Sequence, residues 1–196
     1  MKKLFLVVFS LIINADSFAA FESTYKPLQS EKILFINGNI LDGEGNELLD
    51  TDLLIGDGKI IAIGKGISVE DKDVKIIDAK NKWITPGIID IHSHMGVYPA
   101  PSVRTSSDGN EATSPVTAEV WAEHSMWVQD PQYALALKGG ITTFHVLPGS
   151  ANLIGGRGVT VKNLQRNTIQ SMKYPDAKHS LLSLIHISEP TRHLDI

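Results

Sequence analysis

The feature that most restricts how this chain can fold is a change of texture at Pro86-Gly87. Before it, apolar runs are short and punctuated by glycine. "KILFINGNILDGEG", from Lys32, breaks at Asn37-Gly38 and again at Asp42-Gly43, and "DLLIGDGKIIAIGKGI" repeats the device at Gly56-Asp57-Gly58. Asn-Gly and Asp-Gly tolerate the positive φ that tight turns demand. "VKIIDAKNKWITPG" adds one more short strand and turn. The pattern predicts a small antiparallel sheet over 33–84, marginal alone and in need of a partner surface.

After Pro86-Gly87 the spacing lengthens. Ile88–His94 reads as a buried strand, and 95–117 as a long polar loop carrying Pro99, Pro101, Asp108-Gly109-Asn110 and Pro115. Loops of that length in compact proteins tend to be functional. Residues 118–128 read as helical, with Val120, Trp121, Ser125 and Val128 forming an imperfect stripe. "DPQYALALKGG" is a second helix: Asp130 caps it, Pro131 takes the first turn and Gly139-Gly140 stop it. A strand over 141–147, a glycine-rich loop over 148–158 and a strand over 159–164 follow. Short strands giving way to strand–helix–strand predict a small β domain feeding a parallel α/β domain.

The first nineteen residues are a different kind of sequence. Met1-Lys2-Lys3 is a basic start, Leu4–Ile13 an apolar run, and Ser17 and Ala19 supply the small residues of a cleavage site before Ala20. That is the pattern of a secretory signal peptide over 1–19, so the chain is expected to be periplasmic or secreted. The run is too short to span a bilayer, and no lipid-accepting cysteine follows it, so no stable membrane anchor is expected. With no cysteine at all, stability must come from burial, metal or assembly. A net charge of -4 gives no basic footprint, which argues against a nucleic-acid partner. Homo-oligomerisation is left open.

The candidate chemistry lies in "WITPGIIDIHSHMG". Side chains alternate along a strand, so Ile88, Asp90, His92 and His94 share one face and Ile89, Ile91 and Ser93 the other. Both imidazoles can then address one ion from the strand's C-terminal end, where parallel barrels place their chemistry. Imidazole suits zinc and similar divalent cations. The competing reading is two hydrogen-bonded histidines closing an ordinary strand.

"ITPGIIDIHSHMG" resembles the barrel entry of the amidohydrolase superfamily. Upstream, "INGNILDGEG…DLLIGDGKIIAIGKGI…KIIDAKNKWITPG" is similar to its N-terminal β-sandwich segment. Downstream, "ALALKGGITTFHVLPGSANLIGGRGVTVKN" resembles exported, imidazolonepropionase-like members. The resemblance implies an α/β fold, with a small β-sandwich segment over 20–84 and the first part of a (β/α)8 TIM-like barrel over 85–181. It implies hydrolysis of amide or related C–N bonds of a small, dipeptide-like substrate. One or two divalent ions, zinc foremost, would be held in part by His92 and His94. The metal would lower the pKa of a bound water and polarise the scissile carbonyl. The general base and remaining ligands are expected on later barrel strands. The rival is a barrel of the same family that binds metal or ligand without catalysis.

Other polar residues carry weaker expectations. Lys162 is the nearest candidate for a carbamylated bridging ligand, though a lysine with its amine in solvent is the plainer reading. His145 is expected to be a core histidine or a support for the site rather than a direct ligand. His124 is expected on the surface of a helix, and Gly155-Gly156-Arg157-Gly158 as a turn near the site mouth. Asp108, Asn110 and Glu111 are solvated loop residues with an option on substrate. Finally, "LSLIHISEPTR" (182–192) matches the in-frame translation of a transposase-type sequencing adapter, so 182–196 are expected to be an artefact. On that reading the chain is an N-terminal fragment holding about three barrel strands, inactive by itself.

Overall fold

A computed structural model describes residues 21–175 together with the backbone of Leu181–Ser183. The expected signal peptide and nearly all of the adapter-like tail lie outside the described residues.

The glycine-punctuated half forms one sheet. β1 (Ile33–Leu41), β2 (Glu47–Gly56) and β3 (Lys59–Gly64) pair antiparallel in the order β3-β2-β1. Two of the anticipated turns are present. Asp42 Oδ1 accepts from the amides of Glu44 (2.8 Å) and Asn46 (3.1 Å), closing the β1–β2 connection. Asp57 (φ 50°) and Gly58 (φ 70°) form the two-residue β2–β3 hairpin. Asn37-Gly38 is not a turn. β1 runs straight through it, with a register irregularity there that places Asn37 at φ 59°. Asp52 makes this local cost bearable: its Oδ1 accepts the Asn37 amide at 3.0 Å and its Oδ2 the Ile67 amide at 3.0 Å.

The sheet is mixed rather than antiparallel, which corrects the sequence expectation. β4 (Lys75–Asp78) and β5 (Trp83–Ile84) both run parallel to β1. The connection from Gly64 to Lys75 is long enough to return the chain to the start of β1, a crossover that parallel pairing needs and a hairpin does not. Among the described residues this half is a single sheet.

In the second half, β6 (Ile88–Ser93) pairs parallel with β7 (Ile141–Val146), and α1 (Gln132–Lys138) lies on the crossover. α1 starts as anticipated: Pro131 precedes it and Asp130 Oδ1 accepts the Gln132 amide at 3.0 Å. β9 (Val159–Lys162) also joins β7, but antiparallel: the connection over 147–158 holds β8 (Ile154–Arg157) and no crossover helix, so the chain turns back along β7. The third barrel strand anticipated over 159–164 is thus not a further parallel step. Gly155-Gly156-Arg157 lie within β8, not in a turn; Gly156 packs against the Val120 backbone, where a Cβ would clash. β10 (Leu181–Ser183) pairs antiparallel with β8. The anticipated helix over 118–128 reduces to one 3-10 turn, Ala122–His124, because β8 draws that segment into bridge pairing through Trp121 and Arg157.

Phe144, Val146, Val159, Val161, Val97, Tyr133 and Met172 form the core of this half. α2 (Ile169–Met172) closes one side of it, and Thr168 caps α2 through Oγ1. Residues 21–26 cross over α2 without regular structure. The Phe21 amide donates to Glu123 Oε1 (2.9 Å), Lys173 Nζ donates to the Phe21 carbonyl (2.6 Å), and Lys173 and Glu123 pair at 2.7 Å. Both charged side chains are buried, so each charge is balanced by its partner and by backbone.

Candidate metal centre

β6 is an edge strand among the described residues, with β7 its only neighbour. Ile88, Ile89 and Ile91 are 55, 60 and 75 % exposed, so this strand is not the buried one its composition suggests. The physical reason is the missing neighbour: apolar content drives burial only where another surface is available to pack. His92 is exposed and His94, one residue past the strand, is half-buried. Their ring centroids lie 5.3 Å apart with planes at 88°. Asp90 turns back on its own backbone, Oδ1 accepting the His92 amide at 3.1 Å.

His94 is fixed from the neighbouring strand. The Leu147 amide donates to the Ser93 carbonyl at 2.9 Å, locking the ends of β6 and β7 together. The Leu147 carbonyl then lies 3.0 Å from His94 Nδ1. A carbonyl only accepts, so Nδ1 carries the proton and Nε2 presents a lone pair, the arrangement of a metal-ligating imidazole. The ring separation fits the same role. With zinc about 2.0–2.1 Å from each nitrogen and a tetrahedral angle, two imidazole centroids fall about 5 Å apart. Among the described residues no third His, Cys, Asp or Glu joins them in a metal-holding group. The described residues thus bring together two imidazoles that could each offer a nitrogen to a cation.

Tyr98 forms one wall beside this pair. Its ring stands edge-on to His94 with centroids 5.6 Å apart, and its hydroxyl accepts from Asn110 Nδ2. Burial raises the phenol's pKa, keeping it neutral. Gly109 and Gly149 flank Tyr98 so closely that a Cβ on either would strike it. A cleft of about 120 Å³ opens alongside, lined in part by Asp108, Asn110 and Glu111. Asn110 is thus structural as well as cleft-lining, while Glu111 Oε1 accepts the Thr113 amide at 3.0 Å.

The remaining candidates fall elsewhere. Lys162 pairs in register with Thr143, and Thr143 with Ile89, so it stands at the opposite end of the sheet from His94. Its ammonium lies 4.6 Å over the Tyr174 ring beside a separate open cavity of about 550 Å³. This geometry does not bring it to the histidines as a bridging ligand. His145 is held by Thr160, Nδ1 to Oγ1 at 2.9 Å, as a supporting residue. His124 is exposed, its ring tilted 55° against that of Phe21 with centroids 4.9 Å apart. Sequence reasoning missed Tyr98 and gave Asp130 only a capping role, although the latter carboxylate also accepts the Gly96 amide at 3.0 Å.

No family model matches the chain. It is similar to "Amidohydrolase tasK" of Hapsidospora irregularis, 35 % identical over 114 residues, covering 57 % of this chain and 12 % of that protein. It is similar to a dihydroorotase of Bacillus cytotoxicus, 35 % identical over 117 residues, covering 60 % and 21 %. Among solved structures, the amidohydrolase from Thermotoga maritima MSB8 aligns with a TM-score of 0.63 and 37 % identity, covering 74 % of this chain and 37 % of that one. The chain spans well under half the length of each.

Proposed function

Because this chain belongs to the amidohydrolase superfamily, we propose that it carries the entry segment of a metal-dependent hydrolase acting on amide or related C–N bonds of a small molecule. The observation that carries the reading is the His94 Nδ1 contact to the Leu147 carbonyl beside His92, which leaves Nε2 as a ligand atom. On this reading the β6–α1–β7 step is the start of a (β/α)8 barrel, and the β1–β5 sheet is one part of a sandwich. The basic, then apolar, N-terminus marks the protein for export.

His92 and His94 would hold a divalent cation, with zinc the best match to two imidazoles at tetrahedral separation. Such an ion supplies Lewis acidity and an activated water when bound. This chain's own residues do the positioning. Leu147 fixes the imidazole tautomer, and Tyr98 walls one side as a neutral phenol. The nearby cleft is lined by Asp108, Asn110 and Glu111, the latter two already hydrogen-bonded within the protein. General base and further ligands are assigned to the longer protein.

Zinc titration followed through the histidine ring resonances tests the assignment. His92→Ala and His94→Ala each abolish the zinc-dependent shifts, whereas His124→Ala leaves them unchanged. Undiminished zinc response in both site variants would overturn it. In the longer protein, chelation removes activity; a chelator-resistant activity is the contrary result.

A further inference from the structure

The turn that follows His94 is pinned at nearly every backbone group, and one buried carboxylate is the hub. The His94 carbonyl accepts the Val97 amide (3.2 Å) and the Tyr98 amide (3.0 Å). Gly96 donates to Asp130 Oδ2 at 3.0 Å, and its carbonyl accepts the Trp127 amide at 2.9 Å. Ala100 donates to Asp130 Oδ1 at 3.4 Å. Gln132 Nε2 bridges the two ends, 3.0 Å from the Tyr98 carbonyl and 3.0 Å from Asp130 Oδ2. Asp130 is 3 % exposed. A buried carboxylate taking this many N–H donors is satisfied without a cationic partner.

Gly96 has no freedom to move within this clamp. It sits at φ +81°, and a Cβ would strike the Tyr133 hydroxyl. Among the described residues that hydroxyl is buried with no hydrogen-bond partner, and it packs directly against the turn. Capping α1 requires only the Gln132 amide; the contacts to Gly96 and Ala100 are additional. They join the start of α1 to Gly96 and Ala100, two positions before and two positions after Tyr98, in the turn that follows His94.

We propose that Asp130, with Gln132, is a positioning residue for His94: the pair sets the direction of the chain leaving the ligand and holds Tyr98 against the imidazole. The inference rests on the reading of His94 as a metal ligand, and it extends the support of that ring beyond the Leu147 carbonyl. Groups outside the ligand set that orient it commonly change metal affinity by about 10- to 100-fold. Asp130 acts through backbone, so the lower end of that range is expected.

The test uses the full chain, zinc as the probe, and imidazole nitrogen resonances as the readout. In Asp130→Asn, an amide group faces the Gly96 donor where a carboxylate oxygen had been. Zinc affinity at His92 and His94 is expected to fall about tenfold. The metal-free His94 resonances should shift from the Nδ1–H tautomer toward a mixture, with His145 unchanged. Gln132→Ala, which leaves the carboxylate in place, gives a smaller shift of the same sign and serves as the test if Asp130→Asn does not fold. A folded Asp130→Asn with wild-type zinc affinity and an unchanged His94 tautomer overturns the proposal. So does an equal disturbance of His145, which marks general loosening. Failure of the metal reading is separable: His92→Ala and His94→Ala would then leave zinc binding intact, while the tautomer readout still decides the clamp.

Discussion

β1 and β6 look alike as sequence and behave oppositely as structure. "ILFINGNIL" and "IIDIHS" are both isoleucine-rich runs with one polar interruption. β1 lies between β2 on one side and β4 with β5 on the other, and Leu34 and Ile40 are each 4 % exposed. Among the described residues β6 has one neighbour, and its isoleucines are exposed. The difference teaches that strand burial is decided by neighbours rather than by the strand's own composition. It also explains how β6 can carry a site. His94 takes its order from Leu147 on the next strand and from the Asp130 clamp, not from packing of β6 itself.

Four substitutions separate the two strands and their surroundings by the size of their effect. The largest effect is expected at the buried charge pair of the second half. Glu123→Gln leaves Lys173 charged and unpaired in the interior and should cost about 3–5 kcal/mol in urea unfolding. An unchanged midpoint would show that the pair is not structural. Leu34→Ala in β1 should cost about 3 kcal/mol, as large-to-small changes at packed sites do.

Asp52 comes next. The Asn37 amide, more than any other group, holds its carboxyl below the ordinary aspartate value of 3.8. A depressed folded pKa means that its contribution is complete above 3.8 and is lost as pH falls through the folded value. Asp52→Asn should therefore destabilise by about 2 kcal/mol at neutral pH and by progressively less in acid. A gap that widens on acidification contradicts this assignment. The smallest effect belongs to β6: Ile91→Thr, at a position 75 % exposed, should stay within about 0.5 kcal/mol. A loss comparable to Leu34→Ala would erase the distinction between the two strands.

The turns that were legible are those whose chemistry is local. Asp42 and Asp57-Gly58 announce themselves because a side chain or a positive φ closes each connection. Asn37-Gly38 carries the same local signal and became an irregularity inside β1, because Asp52, fifteen residues away, supplies the acceptor. Strand direction was similarly hidden: no residue in Lys75–Asp78 says whether it returns parallel or antiparallel to β1. That the His92 and His94 rings approach one another was legible from alternation along the strand. Their support was not, since the Leu147 carbonyl is a backbone atom and Asp130 reaches Gly96 across 34 positions. Lys162 shows the converse: a suggestive residue on an apolar strand that register places at the wrong end.

Tyr98 and the two glycines beside it have a consequence for how this protein can vary through descent. A methyl group at Gly109 or Gly149 has nowhere to go while the tyrosine ring is present. Neither glycine is required by a positive φ, since neither residue adopts one. Both are therefore constrained by their neighbour rather than by their own backbone. Position 109 is closed by the Tyr98 ring alone, whereas position 149 is closed by that ring and by the Asn110 side chain as well. A small residue at 98 would therefore open space at 109, while 149 would stay closed until position 110 changed too.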